Sequence, residues 1–337
     1  MDRRYPDPTA CVCYTSDVSY LFPTVLSAIQ ARQQVSRETA DILIYAFGID
    51  DAADRAFRPA CEASGVQLVR CERSAIDGAP VMLGRLFLST LLPPQYRVFL
   101  YVDGDSLITD SLEPLFAIEI PKGKFLAVND SMTFVAAGSG RSGRMIREHF
   151  TSIGMSSDAG ALYFNSGVLL ADRDGWSQIG MLAWKRFCAN GKASRFADQD
   201  VLNVVGGPHH LPLSLAWNFP IFMMNAGVEA DIAPRIYHFM SKPKPWEGVF
   251  PPWTRSAQAP YDAIVQRFPD LHPYRGSMGP GTRLRYHLQQ RYKKVLETLT
   301  WSRSARRQHI LDYERLAAAA LPLRDPEIIA QAHKVPA

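Results

Sequence analysis

The sequence predicts an α/β protein in which mostly parallel strands are covered by helices on both faces. Three observations carry the prediction. Through roughly the first 240 residues, apolar runs of strand length alternate with stretches whose apolar residues recur every three or four positions. Several of those runs end in a polar or acidic residue, as befits the carboxyl edge of an open parallel sheet, where ligands bind. The chain, 337 residues and 47% hydrophobic, is also long enough to bury a large core.

The first candidate strand is ACVCYTS (10–16), followed at once by Asp17. Cys11 and Cys13 stand two apart, so they share one strand face as small buried hydrophobes. YLFPTVLSAIQARQ then reads as an amphipathic helix. DILIYAFG (41–48) and VQLVRC (66–71) are the next strands, VMLGRLFLSTLLP a second amphipathic helix, and RVFLYVD (97–103) the fourth strand. KFLAVND (124–130), YFNSGVLLAD (163–172) and RIYHF (235–239) complete the set. From about Pro251 the texture turns to proline, aromatic and basic residues, then to the helix-like RLRYHLQQRYKKVLETLTW and HILDYERLAAAAL. The expected organisation is one domain over 8–250 and a basic, mainly helical extension over 251–337.

A formal charge of +4 gives no reason to expect a nucleic-acid partner. The distribution of charge says more. Arg275, Arg283, Arg285, Arg291, Lys293, Lys294, Arg303, Arg306 and Arg307 crowd the region from Tyr274 to Arg307, with Glu297 as its only acid. Such a series is either a solvated basic helix pair or a surface for peripheral contact with an anionic membrane. The five cysteines have neither zinc nor redox-pair spacing and are expected to stay reduced. MDRRYPDPTA lacks an apolar leader core, and no segment has the roughly 20 apolar residues of a membrane span, so the expected location is cytoplasmic.

The strand-end acids are the candidate chemistry. Asp103 and Asp105 follow the fourth strand with Gly104 between them, and residues two apart at a strand end point the same way. Two hard carboxylates aimed at one point suit a divalent cation that takes further ligands from water and a diphosphate. Asp-Gly-Asp is also good turn chemistry. A rival enzyme class shares the local look: haloacid-dehalogenase-like phosphotransferases use an Asp-x-Asp after a strand, the first acid being the nucleophile. Asp103 would then be phosphorylated. Gly138, Gly140 and Gly143 match the spacing of a dinucleotide loop, but they fall in mid-chain, so a flexible loop is expected there. Arg141 and Arg144 in that loop could meet an anionic ligand or an acceptor.

Four segments in order, CYTSDVSYLFPTVLSAIQA, RVFLYVDGDSLITDSLEPLF, YFNSGVLLADRDGW with FADQDVLNVV, and YHFMSKPKPW, together resemble the retaining glycosyltransferases of family 8. That family includes lipopolysaccharide galactosyl- and glucosyltransferases and glycogenin-like proteins. The resemblance runs from about residue 10 to 247. It implies a GT-A type nucleotide-sugar-binding fold and transfer of galactose or glucose from a UDP-sugar to a saccharide or glycoconjugate acceptor, with retention of configuration; the basic series adds a lipid-linked glycan as a candidate acceptor. It also implies that Asp103, Asp105 and His238 bind Mn²⁺, or Mg²⁺, and that Lys244 contacts the diphosphate. The family usually has glycine where this chain has Ser241, a departure that bears on the reach of Lys244. Thr15 and Asp17 align with the nucleotide-contacting loop, although Asp17 also suits a helix N-cap. Arg85 and Gly104 align with donor-binding positions. Asp130, Asn165 and Asp198 match positions that hold the donor sugar; Gln199, with Asp200 as a second candidate, matches the reactive face. Without the resemblance, Asn165 is a turn residue and 198–200 a solvated helix start. A catalytically silent nucleotide-sugar binder is the third reading.

Overall fold

Ten strands organise the computed structural model, which describes residues 9–190, 196–301 and 305–319. They are β1 (Ala10–Ser16), β2 (Asp41–Phe47), β3 (Gln67–Cys71), β4 (Val98–Val102), β5 (Ser106–Ile108), β6 (Phe125–Asn129), β7 (Phe164–Asp172), β8 (His210–Pro212), β9 (Phe219–Pro220) and β10 (Ile236–His238). Seven of them form the central sheet in the order β3-β2-β1-β4-β7-β6-β8. The pairs β1–β2, β2–β3, β1–β4 and β6–β8 are parallel, as expected. By contrast β7 runs antiparallel to both of its neighbours, β4 and β6.

That reversal shapes the site. In register, Val102 at the end of β4 faces Val168, and Asn129 at the end of β6 faces Phe164. The first residues of β7 therefore lie at the edge where the parallel strands finish. The stretch 235–239 does not join the central sheet. Its strand β10 belongs to a small sheet, β5-β10-β9, in which His238 pairs opposite Ser106.

Side-chain alternation along β1 divides the core between the two faces of the sheet. Val12 and Tyr14 pack with Leu21 and Phe22 of the helix Val18–Gln34 and with Phe57 of the helix Asp51–Ala63. Cys11 and Cys13 pack on the other face with Leu83, Leu86 and Trp176. All five cysteines are free. Two expected elements differ. Val81–Phe87 is a 3-10 helix, followed only by a short α-helical turn at Leu88–Leu91. The glycine-rich stretch is a loop only to Gly140, because Arg141–Ser152 is an α-helix.

The C-terminal part contributes three longer helices, Arg255–Arg267, Pro280–Trp301 and Ala305–Ala319. Tyr261, Trp301 and Ile310 from them enter the same apolar cluster as β1. Residues 302–304 and 320–337 of the expected extension, Arg303 among them, lie outside the described residues, as do residues 8 and 191–195 of the expected domain.

Candidate active site

Asp103 and Asp105 flank the turn that leaves β4 for β5. That turn presses on the first helix: a side-chain carbon on Gly104 would come within 2.0 Å of Thr24 Oγ1 and 3.1 Å of Thr24 Cα. Only glycine leaves room for this approach. The antiparallel pairing of β10 with β5 then delivers His238. Its Nε2 lies 3.2 Å from Asp105 Oδ1 and 3.8 Å from Asp103 Oδ2. One donor atom from each of the three residues falls within 4.8 Å of the others. Two carboxylates and an imidazole nitrogen converging in this way fit a divalent cation. Gly167 on β7 keeps the space clear, since a side-chain carbon there would lie 2.3 Å from His238 Cε1 and 2.9 Å from Asp103 Oδ2.

Cationic side chains fix both acids. The Lys244 ammonium donates to Asp105 Oδ2 at 2.6 Å and to the Phe239 carbonyl at 2.5 Å. Burial alone would raise the Asp105 carboxyl, but the Lys244 ammonium holds it well below the usual carboxylate range. Burial would likewise lower the Lys244 ammonium, and Asp105 reverses that, so it stays raised. Ser241 does not restrict this reach: among the described residues the only non-glycines with positive φ are Asp77 and Ala233.

Arg85 is buried beneath the acids. Its guanidinium lies 4.8 Å from the centre of the Tyr101 ring, donates to the Ser166 carbonyl at 2.6 Å, and pairs with Asp103 Oδ1 at 3.0 Å and Asp198 Oδ2 at 3.6 Å. The Tyr101 hydroxyl donates to the same Asp103 oxygen at 2.8 Å. Burial raises the Asp198 carboxyl, an effect that Arg85 only partly offsets.

A cavity of about 250 Å³ opens beside these groups and is lined by Thr15, Asp17, Tyr20, Arg85, Asp103, Gly104 and Asp105. Asp17 caps the first helix, accepting from Ser19 N at 3.0 Å. A larger apolar cavity of about 810 Å³ lies elsewhere, between Phe134, Phe150, Leu162 and Tyr313, and none of Asp103, Asp105 and His238 lines it.

The entry of β7 gathers a second group. Asn165 Nδ2 donates to Asp130 Oδ2 at 3.0 Å and to Gln199 Oε1 at 3.1 Å, and Gln199 Nε2 donates to Asp130 Oδ2 at 3.2 Å. Asp200 faces another way. Its Oδ1 accepts from the Tyr163 hydroxyl at 2.5 Å and lies 3.1 Å from His149 Nε2. Arg141 and Arg144 are exposed on the helix Arg141–Ser152, and neither lines the 250 Å³ cavity.

Tyr101, Ser166, Gly167 and Asn218 are parts of this site that sequence reasoning missed. Gly167 lies within the YFNSGVLLAD segment, but its role is a missing carbon, which shows only once His238 is seen to approach. Asn218 is between elements and carries no pattern.

A mostly parallel sheet with a reversed inner strand carries an acidic, lysine-capped cleft at its carboxyl edge, the α/β architecture of a ligand-binding enzyme. The chain belongs to glycosyl transferase family 8, whose sequence profile matches residues 11–249. No curated protein matches the sequence. Among solved structures, an active-site mutant of LgtC is 19% identical with a TM-score of 0.60, covering 75% of this chain and 95% of that one. The galactosyltransferase LgtC in complex with donor and acceptor sugar analogs is 20% identical with a TM-score of 0.57, covering 81% and 98%. The glycosyltransferase GlyE of Streptococcus pneumoniae TIGR4 is 18% identical with a TM-score of 0.54, covering 78% and 63%. The fold is thus of GT-A type, and the protein is a glycosyltransferase rather than an Asp103 phosphotransferase.

Proposed function

We propose that the protein transfers galactose or glucose from a UDP-sugar to a saccharide or lipid-linked glycan acceptor, with retention of anomeric configuration. The observation that carries this reading is the convergence of Asp103, Asp105 and His238 beside Lys244, at a cavity whose other wall holds Thr15 and Asp17. Asp103, Asp105 and His238 would hold Mn²⁺ or Mg²⁺, which when bound supplies Lewis-acid stabilisation of negative charge on the diphosphate.

Breaking the sugar–diphosphate bond leaves negative charge on the diphosphate and positive charge on the anomeric carbon. Lys244 stabilises the first as a compact point charge. Thr15 and Asp17 receive the nucleotide, with Arg85 and Gly104 shaping the pocket on the donor side. Asp130, Asn165 and Asp198 hold the sugar hydroxyls. Gln199 stands at the reactive face, its amide oriented by Asn165 and Asp130. It is preferred to Asp200, whose carboxylate is engaged by Tyr163 and His149.

No described helix is long and apolar enough to cross a membrane. We place the enzyme at the cytoplasmic face of an anionic membrane, where lipid-linked acceptors reside. The outward face of the helix Pro280–Trp301 supports this, because it exposes Leu284, Leu288, Tyr292, Val295 and Leu299 beside Arg285 and Arg291.

A panel of UDP-sugars incubated with Mn²⁺ tests the reading. UDP release is expected with UDP-galactose or UDP-glucose, and Asp105→Asn should lower it roughly 100- to 1000-fold while leaving the fold intact. A folded protein that releases UDP from no sugar donor would be a silent binder. Full turnover by Asp105→Asn would remove the metal assignment.

A further inference from the structure

The hydrogen bonds behind His238 form a chain with a single direction. His238 Nδ1 stands 2.8 Å from Asn218 Oδ1. An amide oxygen only accepts, so the ring donates and Nδ1 carries the proton. Asn218 Nδ2 then donates to Asn165 Oδ1 at 2.9 Å, and Asn165 Nδ2 donates onward to Asp130 and Gln199. The orientation of each amide is forced by the next. Asn165 Oδ1 also accepts from Gly167 N at 2.9 Å, so this oxygen must face Asn218 and the Asn165 nitrogen must face Asp130. Asn218 is 1% exposed, and both ends of its amide are engaged.

A neutral imidazole protonated at Nδ1 has its lone pair on Nε2. That is the atom facing Asp105 and Asp103. A lone pair held against two carboxylates is repulsive until a cation stands between them. The opposite tautomer would donate to Asp105 and could not ligate.

We infer that Asn218 is a positioning residue that selects the ligating tautomer of His238 and links this ligand to the sugar-side residues Asn165, Asp130 and Gln199. The inference rests on the metal reading above and deepens it. Asn218 touches neither donor nor cation; it acts through His238, and partners of this kind affect metal affinity about 10- to 100-fold.

The test uses the full chain. In the metal-free protein with nitrogen-labelled histidine, two-bond NMR correlations, recorded where the nitrogen shifts themselves show a neutral ring, report which ring nitrogen bears hydrogen. His238→Gln assigns the signal. Nδ1–H is expected in the wild type, and Nε2–H there would overturn the inference without any metal being present. Free-Mn²⁺ electron paramagnetic resonance then measures affinity. Asn218→Leu should bind roughly 10- to 100-fold more weakly. A folded Asn218→Leu with wild-type affinity and tautomer would overturn the inference. Should Asn218→Leu fail to fold, the wild-type tautomer decides. Absence of Mn²⁺ binding by the wild type would remove the metal reading and this inference with it, a result distinct from a wrong tautomer.

Discussion

At the scale of single residues, the cleft depends on groups that leave space as much as on groups that fill it. Gly167 lies where any side chain would meet His238 and Asp103, both of which are held from behind, by Asn218 and by Arg85 with Tyr101. Neither neighbour can give way cheaply. Gly167→Ala should therefore cost about 1–3 kcal/mol of stability in urea unfolding and weaken Mn²⁺ binding. A variant matching the wild type in both measurements would show that the approach of His238 is looser than described. Asp103, Asp105 and His238 were legible in the sequence because carboxylates after a buried strand, and a histidine in a recognisable segment, carry their chemistry on their face. Asn218 was not. Asparagine between elements looks like any loop residue, and its part emerges only when β10 brings His238 against it.

Among the elements, length and apolar spacing revealed most strands, but not their direction. An apolar run reads alike in either sense, so the reversal of β7 could not be anticipated. The strands β5, β8 and β9 have only two or three residues each, too few for any period to register. In VMLGRLF the three-residue spacing was visible, yet that spacing suits a 3-10 helix as well as an α-helix, and the former is observed. The helix Pro280–Trp301 shows the opposite case, where structure sharpens a hint. Charge alone favoured a membrane-facing helix no more than a solvated one. Exposures of 60% for Leu288 and 67% for Leu299, on the side away from buried Gln290 and Trp301, add an apolar stripe to the basic series. Its one acid, Glu297, is engaged by Asn225 Nδ2 at 2.7 Å. Replacing both leucines, Leu288→Glu and Leu299→Glu, should lower partitioning onto vesicles containing phosphatidylglycerol by roughly tenfold or more, with UDP-sugar hydrolysis in their absence unchanged. Equal partitioning of variant and wild type would dismiss the membrane contact.

For the molecule as a whole, acid sensitivity should trace to a buried base that is not one of the strand-end acids. His210 sits between Phe125 and Phe164, its Nε2 donating to the Ala127 carbonyl at 2.9 Å. Burial lowers its pKa to about 4. In the unfolded chain the ring takes up its proton near pH 6.5, so on acidification the unfolded state gains protons first. Stability is intact above that pH and is lost as pH falls toward 4, by roughly 3 kcal/mol in all. Urea unfolding at neutral and acidic pH should show this loss in the wild type and its absence in His210→Gln. Identical slopes would mean that other groups govern acid unfolding.

The reversed strand has a last consequence. The backbone amide of Asp103 is bonded to the Gly167 carbonyl at 2.7 Å, and that of Asp130 to the Tyr163 carbonyl at 2.8 Å. Two acids that the proposed function puts at opposite ends of the donor are thus moored four residues apart on one stretch of chain, across the register shift that β7 makes against β6. In the proposed enzyme β7 would work as a ruler, gauging a nucleotide sugar against a length of covalent backbone instead of against the play of loops.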